Sequence, residues 1–123
     1  MKAAALAALA VVAALAVLPA HAAKGPVKVT RVQVSAKEFW YALSRRVVVE
    51  GPAVVELVNF GEDDHDLRMR RIGGTRVYRW PDLQPGAYFD RELRLQPGRY
   101  KLWCGIANHE QLGMTAVLTV RKA

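Results

Sequence analysis

From Val27 onward, apolar and polar residues alternate with a period of two, the spacing of strands that bury one face. Val27 to Ser35 reads as a first strand, and its alternation slips between Val29 and Val32, the mark of a bulge or twist. The aromatic run EFWYALS (38–44) reads as a short edge strand or turn, and Arg46 to Glu50 as a β-branched strand. In Ala53 to Asn59, Val55 and Leu57 oppose Glu56; in Asp66 to Ile72, Leu67 and Met69 oppose Arg68 and Arg70. Thr75 to Trp80 reads as a short strand or an irregular excursion, and Ala87 to Leu95, Arg99 to Cys104 and Met114 to Arg121 complete the set. Gly51-Pro52, Gly73-Gly74, Pro81, Pro85-Gly86 and Gln96-Pro97-Gly98 supply the breaks. About seven or eight short strands without helical periodicity predict an all-β chain folded as an antiparallel β-sandwich.

The N-terminus has another character. In MKAAALAALAVVAALAVLPAHAAKG, Lys2 precedes an apolar run from Ala3 to Leu18, and Ala20-His21-Ala22 fits an A-x-A cleavage site. The run is shorter than the ~20 apolar residues of a spanning helix. Residues 1–22 therefore read as a cleaved signal peptide and residues 23–123 as one domain, working outside the cytoplasm, in the periplasm. Export makes the chain's single cysteine conspicuous, because an unpaired thiol in a secreted protein calls for an explanation.

The explanation lies in YKLWCGIANHEQLGMTAVLTV (100–120). Cys104, His109 and Met114 follow one another at intervals of five, around a loop marked by Gly105, Asn108 and Gly113. Thiolate, imidazole and thioether are ligands that suit copper, and two imidazoles, a thiolate and a weak methionine make a blue-copper site. Of the three histidines, His21 falls in the export signal, which leaves His65 in NFGEDDHDL to complete the set. Each residue alone also has a plain reading: Cys104 and Met114 as core, His65 and His109 as polar loop residues. Asp66 reads either as a loop carboxylate or as a group that orients the ligands, and Phe39, Trp40 and Tyr41 read as core packing.

In NFGEDDHDL (59–67), LQPGRYKLWCGIANHEQLGM (95–114) and the closing TAVLTV, the chain resembles the small bacterial cupredoxins of the plastocyanin, azurin and auracyanin kind. The resemblance spans Val27 to Arg121. It implies a Greek-key sandwich and one copper ion, Cu(I) or Cu(II), held by His65, Cys104 and His109 in a plane with Met114 on the axis. It also implies a role as a one-electron carrier rather than an enzyme. The ring edge of His109, within an apolar rim of Ile106, Ala107, Leu112 and Gly113, is then the electron port. Two positions depart from the common pattern: Gly105 stands where Ser or Thr is frequent, and Asn108 where Gly is frequent.

Charge bears on partners. Lys and Arg number 18 against 11 Asp and Glu, with Arg68, Arg70, Arg71, Arg76 and Arg79 concentrated in one stretch. A solvated basic face is one reading; steering toward an anionic membrane surface or an acidic redox partner, such as a c-type cytochrome or a membrane-bound oxidoreductase, is the other. Export and the lack of a recognisable binding motif argue against nucleic acid. A monomer is expected. The rival functions are a periplasmic copper chaperone or scavenger, a thiol enzyme using Cys104 and His109, and a metal-free binding module; the absence of a methionine-rich Cu(I) motif counts against the first.

Overall fold

The structure, a computed structural model, describes residues 17–123; most of the expected signal peptide lies outside the described residues. Residues 17–29 are exposed and carry no regular element. Nine strands follow: β1 (Thr30–Lys37), β2 (Trp40–Leu43), β3 (Val47–Val49), β4 (Gly51–Asn59), β5 (His65–Arg71), β6 (Val77–Leu83), β7 (Tyr88–Leu95), β8 (Gly98–Trp103) and β9 (Thr115–Arg121). They form a four-stranded sheet, ordered β2-β1-β4-β7, and a five-stranded sheet, ordered β3-β9-β8-β5-β6.

The expected sandwich is present, and its sheets are mixed. β1 runs parallel to β4 and β3 parallel to β9, while the other pairs are antiparallel. A parallel neighbour requires a crossover. Here the chain makes each crossover by visiting the opposite sheet. The slip expected near Val29 has a simple origin: β1 begins only at Thr30, so Val29 lies before the strand.

Alternation builds the core. Val32, Val34, Val55 and Leu57 from the first sheet meet Leu67, Met69, Leu102 and Leu118 from the second, each 1 % exposed or less. Trp80 joins the sheets by donating its indole N–H to the Val55 carbonyl at 2.9 Å. β6 runs on through Pro81, where the sequence suggested a loop. An edge strand tolerates proline because no outer neighbour needs its missing N–H.

The direction of the strands positions everything that follows. β1, β4 and β8 end, and β5 and β9 begin, at the same end of the sandwich. The loops leaving Lys37, Asn59 and Trp103 therefore meet there.

Candidate metal centre

His65 opens β5, at a point where the pairing with β6 shifts register between His65 and Leu67. The shift suspends alternation, so that His65, Asp66 and Leu67 are buried in succession. Cys104 directly follows β8, and Met114 directly precedes β9. The intervening loop is laced by its own backbone. The Cys104 amide donates to the Met114 carbonyl at 3.2 Å, the Met114 amide to His109 at 3.1 Å, and the His109 amide to Ile106 at 3.1 Å. Gly113, at φ 108°, supplies a backbone conformation that other residues rarely adopt.

These loops bring three of the expected ligands together. His65, Cys104 and His109 each offer a ligating atom, all within 4.8 Å of one another, and all three side chains are buried. Cys104 Sγ lies 3.6 Å from His109 Nδ1. The imidazole rings stand 5.2 Å apart between centroids. Met114, 0 % exposed, is tied through its backbone to both Cys104 and His109.

The residues fit a soft metal ion. His65 Nε2 contacts Glu38 Oε1 at 2.9 Å, whereas His65 Nδ1 is buried without any hydrogen-bond partner. A buried polar atom left without a partner costs about 1–3 kcal/mol. A metal ion that accepts that lone pair removes the penalty. Burial raises the Cys104 thiol above its ordinary range; the backbone amides of Ile106 and Asp66 pull it down, and the Asp66 charge adds to the rise. Such a thiol holds its proton until a cation displaces it.

No family model and no curated protein matches the sequence. Solved structures match the fold. Dithionite-reduced auracyanin from the photosynthetic bacterium Roseiflexus castenholzii aligns with a TM-score of 0.62 at 16 % identity, covering 75 % of this chain and 97 % of that one. Auracyanin A from Chloroflexus aurantiacus, a blue copper protein, gives 0.63 at 12 % identity, covering 76 % and 100 %. Reduced rusticyanin gives 0.61 at 15 % identity, covering 78 % and 81 %. The chain has the cupredoxin fold.

Within this cupredoxin fold, Asp66 is a buried link rather than an exposed loop carboxylate. Its Oδ1 accepts the Gly105 amide at 2.5 Å, its Oδ2 faces Arg68 Nε at 3.4 Å, and its carbonyl accepts the Tyr41 hydroxyl. It thereby fastens the strand carrying His65 to the loop carrying Cys104. Burial, together with the charges of Cys104 and Asp66, pushes the Tyr41 phenol far above its usual range, so it stays a neutral donor.

Two neighbours of the site are not among the candidate site residues that the sequence offers. Phe39 lies 4.6 Å from the His109 ring and edge-on to the His65 ring at 6.3 Å, so it packs against both imidazoles. Glu38 accepts the Glu62 amide at 2.7 Å and the Asp63 amide at 2.8 Å besides meeting His65. The Asp63 amide first, then the His65 ring and the Glu62 amide, hold its carboxyl down at about 2 against the opposing effect of burial. Phe39 belongs to the aromatic run read as core packing, and the sequence marks Glu38 only by adjacency to that run.

Proposed function

We propose that the protein is an exported type 1 copper protein that carries single electrons, with His65, Cys104 and His109 as the strong ligands and Met114 as the weak one. The observation that carries this reading is the convergence of two buried imidazoles and a buried thiol, with one imidazole nitrogen left unpartnered. A copper ion bound there supplies a one-electron Cu(II)/Cu(I) couple. The chain's own contribution is restraint. Asp66 and the backbone bonds between Cys104, His109 and Met114 hold the donors in place, so little has to move when charge changes.

The two histidines are not equivalent. His65 is 0 % exposed and His109 is 8 % exposed, so the path to solvent runs through His109. Around it Ile106 is half-buried, and Ala107, Leu112 and Gly113 are exposed, a small apolar rim suited to brief contacts. Arg70 and Arg79 are exposed on the outer face of the β5–β6 pair, which favours an acidic redox protein as partner, in the class of a c-type cytochrome or a membrane-bound oxidoreductase. The charged start, apolar run and A-x-A site in residues 1–22 support export to the periplasm.

A copper chaperone finds no support in the site. Met69 is core and Met114 is buried, so among the described residues no exposed thioether is available to pass copper on. The deciding experiment is metal loading followed by visible and EPR spectroscopy. One Cu(II) per chain with intense blue absorption, bleached on reduction and absent in Cys104→Ser, is expected. Protein that stays colourless with Cu(II) refutes the reading.

A further inference from the structure

We propose that Glu38 is a positioning residue: its carboxylate fixes His65 as an Nδ1 donor and weights the site toward the more highly charged state of its metal. The inference rests on the copper reading above and names a residue outside the ligand set.

The geometry is a relay from backbone to carboxylate to ring. Glu38 follows β1 and lies 27 positions from His65. One oxygen, Oε1, meets the amides of Glu62 and Asp63 and the ring Nε2 of His65, at 2.7, 2.8 and 2.9 Å. The two amides can only donate, so the oxygen acts as acceptor throughout, and His65 must give it an Nε2–H. A neutral imidazole carries one N–H, which leaves Nδ1 with its lone pair free. Nδ1 is the buried atom that no protein group satisfies. A carboxylate on the remote nitrogen also makes the ligating nitrogen more basic, which favours the harder, more charged ion.

The surroundings leave room for this contact. A Cβ at Gly61 would fall 2.2 Å from Glu38 Oε1, so the close approach depends on glycine there. The Gly61 amide is in turn held by Asn59 Oδ1 at 2.8 Å. The Glu38 side chain is 30 % exposed, so its charge remains partly hydrated while its inner oxygen serves the ring.

The same oxygen also pins the 60–64 loop, so a purely structural role has to be separated from an electronic one. Glu38→Gln keeps an acceptor oxygen and removes the charge; Glu38→Ala removes both. The first measurement is nitrogen-15 NMR of the metal-free protein, where His65 is expected to be protonated on Nε2. The second is the affinity of each protein for Cu(II) and Cu(I), with the midpoint potential. Glu38→Gln is expected to lose about 10- to 100-fold in Cu(II) affinity and less in Cu(I) affinity, raising the potential. A wild-type His65 protonated on Nδ1 overturns the proposal, as does a Glu38→Gln protein with an unchanged potential and affinity ratio. The second result, obtained with a blue wild-type protein, would leave the copper reading intact. A wild-type protein that takes up no copper sinks the copper reading and the electronic half of this one, while the tautomer measurement still tests the positioning half.

Discussion

The guanidinium of Arg68 occupies the space a side chain at Gly105 would need: a Cβ there would fall 2.1 Å from Arg68 Nε. Arg68 is drawn to that position by Asp66 Oδ2 at 3.4 Å, and Asp66 Oδ1 accepts the Gly105 amide. The three residues form one unit, which accounts for glycine where cupredoxins frequently have Ser or Thr. Gly105→Ser is expected to displace the guanidinium and cost about 1–2 kcal/mol. Much of that cost should vanish in an Arg68→Ala background. A double-mutant cycle by urea denaturation checks this, and simple additivity of the two changes would show that they do not compete for space.

Asn59 carries the loop that delivers His65. Fully buried, it donates from Nδ2 to the Asp63 carbonyl at 2.7 Å and the Leu83 carbonyl at 2.8 Å, and it accepts the Gly61 amide at 2.8 Å. Asn59→Ala leaves these backbone groups without their partner, at an expected cost of about 2–3 kcal/mol. Copper affinity should fall as well, because the loop between Asn59 and His65 loses its anchor. Thermal melts of metal-free protein and a competitive copper titration measure the two effects separately.

What was legible in the sequence follows from how local each signal is. Leu67 and Met69 facing away from Arg68 and Arg70 is a property of four consecutive residues, and it holds in β5. Cys104, His109 and Met114 share one loop, so their association needed no tertiary knowledge. His65 could be added because the chain has few histidines. Glu38 had no such cue: its contact with His65 depends on β1 and β4 running parallel and ending together, a pairing set by the whole sandwich. Phe39 could be read as aromatic packing, while the imidazoles against which it packs are fixed only by the fold.

The pH dependence of the metal-free protein should be a plateau with two falling limbs. Glu38 is depressed from 4.5 to about 2, so its contribution is present above 4.5 and lost as pH falls toward 2. Cys104 is raised above 9.0 by burial, so its contribution is present below 9.0 and lost as pH rises through the folded value. Urea midpoints across pH should show the acid limb flattened in Glu38→Gln and the alkaline limb flattened in Cys104→Ser. An acid limb of equal steepness in Glu38→Gln would assign it to other carboxylates.

Met114 separates ligand strength from packing. It is fully buried, and leucine matches its volume closely enough that Met114→Leu should cost less than about 1.5 kcal/mol. The three strong donors remain, so the copper-loaded variant should stay blue. Losing a weak donor disfavours Cu(II) more than Cu(I), and the reduction potential should rise. Protein-film voltammetry reads the shift directly; a potential equal to that of the wild type would make Met114 a core residue without a role at the metal.

Strand register sets the basic face. It pairs Arg68 with Arg79 across β5 and β6, and Arg68 with Trp103 and Arg70 with Lys101 across β5 and β8. Like charges directly opposite each other oppose folding. Glu110, at 2.5 Å from Lys101 Nζ, and Asp66, at 3.4 Å from Arg68 Nε, offset the cluster in part. Arg70 and Arg79 are exposed. If this face steers partners, small redox reagents will report it without any knowledge of the physiological partner. Oxidation of the reduced, copper-loaded protein by anionic ferricyanide should slow as salt rises, whereas oxidation by a cationic cobalt(III) complex should accelerate. Replacing Arg70 and Arg79 together by Gln should flatten both trends in stopped-flow measurements while leaving the blue absorption unchanged. Should the double variant keep the full salt dependence, the field that guides charged reagents to His109 arises elsewhere on the chain, and this sheet face has no part in docking.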